Sequence, residues 1–296
     1  MAKDDKIKLV NSGKITSNYS PAMIFGYILH NIDPFIFRFP EWFAISGIRW
    51  YGMFYVISFL VTFAYLNYAS NTGKSVIKRD QNEQFVLFCA AGVIIGGRLG
   101  YWLLYDSSAF LANPLVILKI WNGGMASHGG FIGVILSLII FSRKNKLHLL
   151  SVADLVSSIA PIGLFLGRIG NFINGELVGK ISNLPWAMKF TNHGTISPET
   201  LLPRHPSQLY EAFFEGIFLF LYLQCRMKKK SIPGVLSGEF LIAYSCARFF
   251  CEFFREPDAP PIFTLSRGQF FSIFSLLFGI LLIIYVMVVD RLHPNR

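Results

Sequence analysis

Arg98, His128, Arg168, Glu176, Arg248 and Glu252 are ionisable residues set within or beside stretches that are otherwise strongly apolar. Ionisable groups at membrane depth are costly unless paired or wet, and they mark functional sites more often than chance. His128 lies in Trp121-Asn122-Gly123-Gly124-Met125-Ala126-Ser127-His128-Gly129-Gly130. Glycines on both sides let backbone or ligand approach closely. A neutral imidazole accepts a proton at pH 7, so His128 is a candidate general base; a satisfied structural histidine is the alternative. Arg168 opens Gly167-Arg168-Ile169-Gly170-Asn171-Phe172-Ile173-Asn174-Gly175-Glu176-Leu177-Val178-Gly179. So many glycines and polar residues do not suit a lipid-facing helix, and the segment reads as irregular backbone inside protein or around a cavity. The guanidinium of Arg168 offers a fork of donors suited to phosphate, or else an internal salt bridge to Glu176.

Tyr244, Arg248 and Glu252 are spaced by four and so share one stripe of a helix, either as part of a site or as a plain Arg248–Glu252 pair. The Phe253-Phe254-Arg255-Glu256-Pro257-Asp258 exit reads as an interfacial anchor. In His205-Pro206-Ser207-Gln208-Leu209-Tyr210-Glu211, Ser207 is expected to cap a helix with Tyr210 and Glu211 in its first turns. Arginines beside a histidine at a lipid boundary suit an anionic lipid headgroup.

The elements that must position these residues follow from composition. Of 296 residues, 53% are hydrophobic, 16% aromatic and only 15% charged, with 30 phenylalanines; the mean hydropathy is +0.48. A soluble domain of this size cannot hide so much apolar surface. Disorder, coiled coil, collagen and secreted disulfide scaffolds are excluded. The chain reads as an all-α polytopic membrane protein with about seven spans, at 48–68, 83–105, 127–141, 152–166, 207–225, 235–254 and 269–289. Residues 1–22 form a polar extension without the features of a signal peptide. Residues 23–45 contain a short segment, broken at Asp33-Pro34, expected to lie flat on the membrane surface. A single transmembrane domain over 46–290, with loops 168–206 and 255–267 on the outer side, and a tail at 291–296 complete the layout.

The net charge of +10 is explained by topology rather than by nucleic acid. Lys74, Lys78 and Arg79 follow the first span, Arg143, Lys144 and Lys146 the third, and Arg226, Lys228, Lys229 and Lys230 the fifth; Arg291 and Arg296 close the chain. Alternating spans put these clusters on one side, and short basic loops mark the cytoplasm. The expected orientation is N-terminus out and C-terminus in, although the N-terminal lysines count against it. Glycines spaced by four, at Gly92/Gly96/Gly100, Gly129/Gly133 and Gly163/Gly167, are expected to allow close helix contacts. Cys89, Cys225, Cys246 and Cys251 read as buried packing residues. No metal is expected, because there is no HExxH motif and no His/Asp cluster at ligand spacing. Serine or aspartyl intramembrane protease motifs and an internal transporter repeat are also missing.

The sequence resembles the bacterial prolipoprotein diacylglyceryl transferases in Gly96-Gly97-Arg98-Leu99-Gly100-Tyr101, Gly123-Gly124-Met125 through His128-Gly129-Gly130, and Gly167 through Glu176. His205 through Glu211, and Arg248-Phe249 through Glu252-Phe253-Phe254-Arg255-Glu256-Pro257-Asp258, extend the resemblance. It runs in order from about Asp33 to the last span. The resemblance implies a seven-span bacterial inner-membrane enzyme with its site toward the periplasm. It would move the diacylglyceryl group of phosphatidylglycerol onto the lipobox cysteine of a prolipoprotein, forming a thioether and releasing glycerol phosphate. No cofactor is implied. His128, Arg168 and Arg248 match the positions most tied to activity. Tyr51, Asn171, Glu176, Gly179, Tyr244 and Glu252 match supporting positions, with Arg98 added as a binding residue. The extra N-terminal residues and Arg267, where an apolar residue is more usual, depart from the family pattern.

The chemistry then sets the expected roles. A cysteine thiol with pKa near ~8.5 is only slightly ionised at pH 7, so it needs a base. His128 would take the thiol proton while Arg168 and Arg248 hold the phosphate. Glu176 and Glu252 would orient the arginines. Tyr51, Asn171 and Tyr244 would bind headgroup or peptide, and a lateral opening between spans would admit the lipid. A non-enzymatic lipid-binding or transport protein using the same arginines is the competing class.

Overall fold

The structure, a computed structural model, describes residues 27–40, 42–43, 46–118, 124–191, 202–229 and 231–293. The predicted extension at 1–22, the start of the interfacial segment at 23–26, the Trp121-Asn122-Gly123 part of the histidine motif, Lys230 and the end of the tail at 294–296 lie outside the described residues.

The chain is mainly helical. The helices are α1 (Trp50–Asn71), α2 (Asn82–Leu104), the short α3 (Ser107–Ala112), α4 (Ser127–Lys144) and α5 (Leu149–Asn174). Then come α6 (Ser207–Glu211), a π-helical segment (Ala212–Phe218) and α7 (Leu219–Met227), which run on as one rod, followed by α8 (Val235–Cys251) and α9 (Arg267–Leu292). Among the described residues, four helices are long and apolar enough to cross a membrane: Trp50–Asn71, Arg79–Leu104, Leu149–Asn174 and Arg267–Leu292. This is a membrane protein, and its many exposed Leu, Ile, Val and Phe side chains are what a lipid-facing surface requires.

Four short strands depart from the purely helical expectation. β1 (Ile28–His30) pairs in parallel with β4 (Met188–Phe190), while β2 (Phe35–Arg38) pairs antiparallel with β3 (Gly47–Arg49). The segment predicted to lie on the membrane surface thus carries two short paired strands, at 28–30 and 35–38, where it is described.

Packing gives the bundle two distinct ends. Gly170 of α5 abuts the Tyr51 ring of α1, and Gly268 of α9 abuts Glu252 just after α8. At the opposite end, Gln81 donates to Asn145 Oδ1 (3.1 Å) and Gly234 N to Asp154 Oδ2 (2.7 Å). Lys74 and Lys229 line the same small cavity there as Ser151 and Asp154. The basic clusters therefore gather at the end away from Arg168 and Glu252.

The α2–α4 seam is the tightest contact. A Cβ at Gly133 would lie 2.7 Å from the Gly92 carbonyl carbon, and one at Gly129 2.9 Å from Gly100 Cα. The predicted Gly163/Gly167 ladder is not a contact: a Cβ at either position meets nothing within 4 Å. Spacing alone cannot tell a packed helix face from an open one. Gly133→Ala is accordingly expected to destabilise by about 1–3 kcal/mol, the usual cost of forced overpacking. Gly163→Ala should leave stability unchanged or raise it slightly, through helix propensity. Thermal unfolding of the two variants in one detergent checks the contrast.

Two further expectations change. Cys225 and Cys246 are exposed, whereas Cys251 is buried and Cys89 half-buried; a small apolar side chain is equally at home facing lipid. α5 continues to Asn174 and ends in a left-handed Gly175 (φ 66°), so the segment read as irregular from Gly167 is helical for two more turns. Its polar residues are accommodated because these turns pack against other helices.

Candidate active site

Charged residues predicted to be expensive at membrane depth meet in one buried cluster. Arg168, on the last turns of α5, donates from Nε (3.2 Å) and Nη2 (3.0 Å) to Glu215 Oε2. Its Nη1 pairs with Glu211 Oε2 at 3.0 Å. From α8, Arg248 Nη1 donates to Glu211 Oε1 (2.6 Å), and its Nη2 pairs with Glu252 Oε1. Arg255 reaches Glu211 Oε1 from beyond α8 at 3.3 Å and holds Asp258 at 3.0 Å. Glu211 and Glu215 are fully buried, while the Arg168 and Arg248 side chains keep 15% and 13% exposure.

Local backbone explains how two glutamates face the same arginines. They sit four residues apart on a rod that widens into a π segment directly after Glu211. Such segments occur as local bulges in helices, often at functional sites. Gly216 packs against the backbone of Phe165, where a Cβ would fall 2.9 Å from Phe165 Cα. That close approach brings the rod against α5 one turn below Arg168.

The other predicted residues divide into those near this cluster and those apart. Glu252 pairs with Arg248, and its Oε2 accepts from Ser266 Oγ (2.7 Å), so the carboxylate expected to orient an arginine does meet one. Glu176 does not: Asn174 Nδ2 donates to it (3.3 Å), and the partners of Arg168 are Glu211 and Glu215. The reversal of the chain at Gly175 turns Glu176 off the helix face that carries Arg168. Tyr244 is half-buried on α8, within electrostatic reach of Glu215 and Arg168. Tyr51 packs on Gly170, its hydroxyl 3.5 Å from that of Tyr55. Asn171 is buried, and its carbonyl accepts the N–H groups of Gly175 and Glu176.

Gly179 lies where any side chain would collide with the His205 and Phe254 backbones; its N–H donates to His205 O (3.0 Å). Arg98 is fully inside the protein, donating to the carbonyls of Ile117 (3.1 Å) and Gly124 (3.0 Å), where it braces the backbone leading to His128. His128, in the first turn of α4, is exposed and stands edge-on to Phe271 of α9, with ring centroids 6.0 Å apart. It shares the end of the bundle with the cluster but makes no ion pair with it.

Glu211, Glu215 and Arg255 were missed as site residues by sequence reasoning. A carboxylate at Glu215, inside Ala212-Phe213-Phe214-Glu215-Gly216, carried the same signal of cost as those that were singled out. Ser207 is not the cap expected; Pro206 holds that position and Ser207 Oγ donates to Leu177 O (3.1 Å), tying the turn after α5 to the start of α6. Above Glu211, Trp186 Nε1 donates to Tyr210 Oη (2.7 Å), and His205 Nδ1 lies 3.2 Å from the same hydroxyl. Partial burial, with Lys180 nearby, holds the His205 pKa below the usual histidine range, so the ring is neutral at pH 7. Arg267 occupies the first turn of α9, behind a Ser266–Gln269 capping box. Among the described residues, no group of three or more His, Cys, Asp or Glu could hold a metal ion.

Comparison with known proteins gives the family of the chain. A family model described as prolipoprotein diacylglyceryl transferase matches residues 40–285. The chain belongs to the prolipoprotein diacylglyceryl transferase family. Relatives named phosphatidylglycerol–prolipoprotein diacylglyceryl transferase include one from Pseudoalteromonas translucida (strain TAC 125), 44% identical over 257 residues, covering 86% of this chain and 92% of that one. The one from Rickettsia felis is 45% identical over 259 residues, covering 86% and 96%. The one from Proteus mirabilis is 42% identical over 283 residues, covering 89% and 95%. As a member of the diacylglyceryl transferase family the chain is a transferase of lipoprotein lipidation, and every residue of the buried cluster falls inside the matched region.

Proposed function

We propose that this chain transfers the diacylglyceryl group of phosphatidylglycerol to the lipobox cysteine in a prolipoprotein signal peptide, using Arg168 and Arg248 on the phosphate and His128 as the base. The observation that carries this reading is the convergence of both guanidiniums on Glu211 and Glu215. The glutamates fix each guanidinium plane without using all its donors. Arg168 retains a second N–H on each Nη, and Arg248 Nε has no partner among the described residues. Donors held in advance at the place where charge develops are the largest single source of catalysis in many enzymes.

In the proposed reaction His128 removes the thiol proton, and the thiolate attacks the glycerol carbon bonded to the phosphate oxygen. A C–S bond forms as that C–O bond breaks. The electron pair leaves with glycerol phosphate, whose charge the arginines stabilise. The lipid would lie between His128 and the cluster, past Phe271 and the start of α9. Tyr51, Asn171, Glu176, Gly179, Tyr244 and Arg98 shape and brace the surrounding binding surface. An apolar groove of about 420 Å³ along Cys246, Phe249, Phe253 and Ile273 would serve in this reading as the lateral opening for an acyl chain.

The same reading takes α1, α2, α4, α5, the α6–α7 rod, α8 and α9 across a bacterial inner membrane, N-terminus out and C-terminus in. Its support is the gathering of basic loops at the end opposite the cluster, since short basic loops stay in the cytoplasm. The cluster then opens to the periplasmic side. The purified chain, given phosphatidylglycerol with a labelled headgroup and a lipobox peptide, should release glycerol phosphate in step with peptide lipidation. Lipid binding without peptide-dependent release would instead favour a lipid-binding or transport protein.

A further inference from the structure

Arg168, Arg248 and Arg255 face Glu211, Glu215 and Glu252, and none of these six side chains is more than 15% exposed. These six buried charges cancel, and Asp258, which Arg255 also holds, stands in solvent, so the buried part of the cluster is neutral at rest. A phosphodiester arriving at Arg168 and Arg248, as the proposed function requires, brings one further negative charge into a site that holds little water. An uncompensated charge in such surroundings is strongly disfavoured, and neighbouring carboxylates respond by sharing a proton.

We infer that binding of an anionic lipid phosphodiester at this site is coupled to the uptake of one proton, carried by Glu215 Oε1. The geometry selects Glu215 over Glu211. Glu211 is held by three arginines, at 3.0 Å from Arg168, 2.6 Å from Arg248 and 3.3 Å from Arg255. Glu215 takes both Arg168 contacts on one oxygen, Oε2. Its other oxygen, Oε1, is buried without a hydrogen-bond donor and has Arg248 Nη1 only at 3.6 Å, whereas Glu211 Oε2, which also lacks an aligned donor, has Arg168 Nη1 at 3.0 Å. When the phosphodiester takes the free donors of both arginines, it shares their positive charge, and Glu215 loses most of its electrostatic support.

The groups facing Glu215 from neighbouring elements offer no other site for the proton. α5 presents Arg168; α8 presents Arg248, Tyr244 and the buried thiol of Cys251, with Glu252 beyond Arg248. From α1, Tyr51 is within electrostatic reach of both Arg168 and Glu176. Glu252 is engaged by Arg248 and Ser266. The proton comes from bulk water: an O–H bond forms on the Glu215 carboxylate, and the loaded cluster is neutral again. It returns to water when glycerol phosphate departs.

The test is titration calorimetry of the full chain in a neutral detergent with dioctanoyl phosphatidylglycerol, repeated in buffers of different ionisation enthalpy. About one proton should be taken up per lipid bound, and apparent affinity should fall by up to about tenfold per pH unit on the alkaline side of the transition. Zwitterionic dioctanoyl phosphatidylcholine, which adds no net charge, should bind without uptake. Glu215→Gln should bind phosphatidylglycerol with no proton uptake and with affinity independent of pH, while Glu215→Asp restores the coupling. Binding by the wild type with no proton uptake, or uptake that survives in Glu215→Gln, overturns the inference. Failure of the wild type to bind the anionic lipid overturns the phosphate-clamp reading beneath it. Should Glu215→Gln not fold, the wild-type proton count and pH slope decide alone.

Discussion

Arg168→Lys and Arg248→Lys are each expected to lower the rate of lipid transfer by at least about 10²–10³-fold, the loss typical of removing one preorganised donor at a developing charge. Lysine keeps the positive charge that Glu211 and Glu215 require but has no planar fork. Arg168 uses three of its nitrogens on two carboxylates, and an ammonium cannot span Glu211 Oε2 and Glu215 Oε2 while also reaching a phosphate. Alanine at either position is the harsher experiment. It strips one of the guanidiniums that the fully buried Glu211 and Glu215 share, which weakens a buried ion-pair network, and so mixes misfolding with lost chemistry. The lysine variants should keep their melting temperature in detergent within a few degrees while transfer of labelled diacylglyceryl to a lipobox peptide collapses. Near-normal transfer in either variant would contradict the clamp.

His128→Gln is expected to reduce transfer by about 10²–10⁴-fold, the range general-base catalysis supplies. Folding should be almost untouched, because the ring is exposed and its contact is edge-on to Phe271 at 6.0 Å. Glutamine preserves size and hydrogen bonding but cannot take a proton at neutral pH. The deficit should shrink as the pH is raised toward the thiol's own pKa near ~8.5, where the substrate ionises unaided. A His128→Gln enzyme with full activity at pH 7 would remove the imidazole from the reaction.

Helix placement was legible in the sequence because apolar length is a strong signal; the predicted stretch at 269–289 lies wholly within Arg267–Leu292. The end of α5 was not, since glycine and asparagine argue for irregular backbone unless neighbouring helices shield them, as Tyr51 shields Gly170. The pairing of Arg248 with Glu252 followed from a spacing of four along one helix. Pairing of Arg168 with Glu211 and Glu215 could not, because those partners are 43 and 47 residues away and a π segment sets their facing. Helical periodicity describes a regular helix and misplaces residues where the winding changes. The Gly163/Gly167 spacing misled for a related reason: periodicity shows that small residues share a face, not that another helix covers it.

The most direct test of the central claim is a structure of the chain with bound phosphatidylglycerol. The headgroup phosphate should lie within about 3 Å of nitrogens from both Arg168 and Arg248, as charge-assisted hydrogen bonds require. The His128 ring should face the glycerol carbon from the side opposite the phosphate. A phosphate resting elsewhere, with both guanidiniums still closed on Glu211 and Glu215 and His128 directed away from the lipid, would contradict the account.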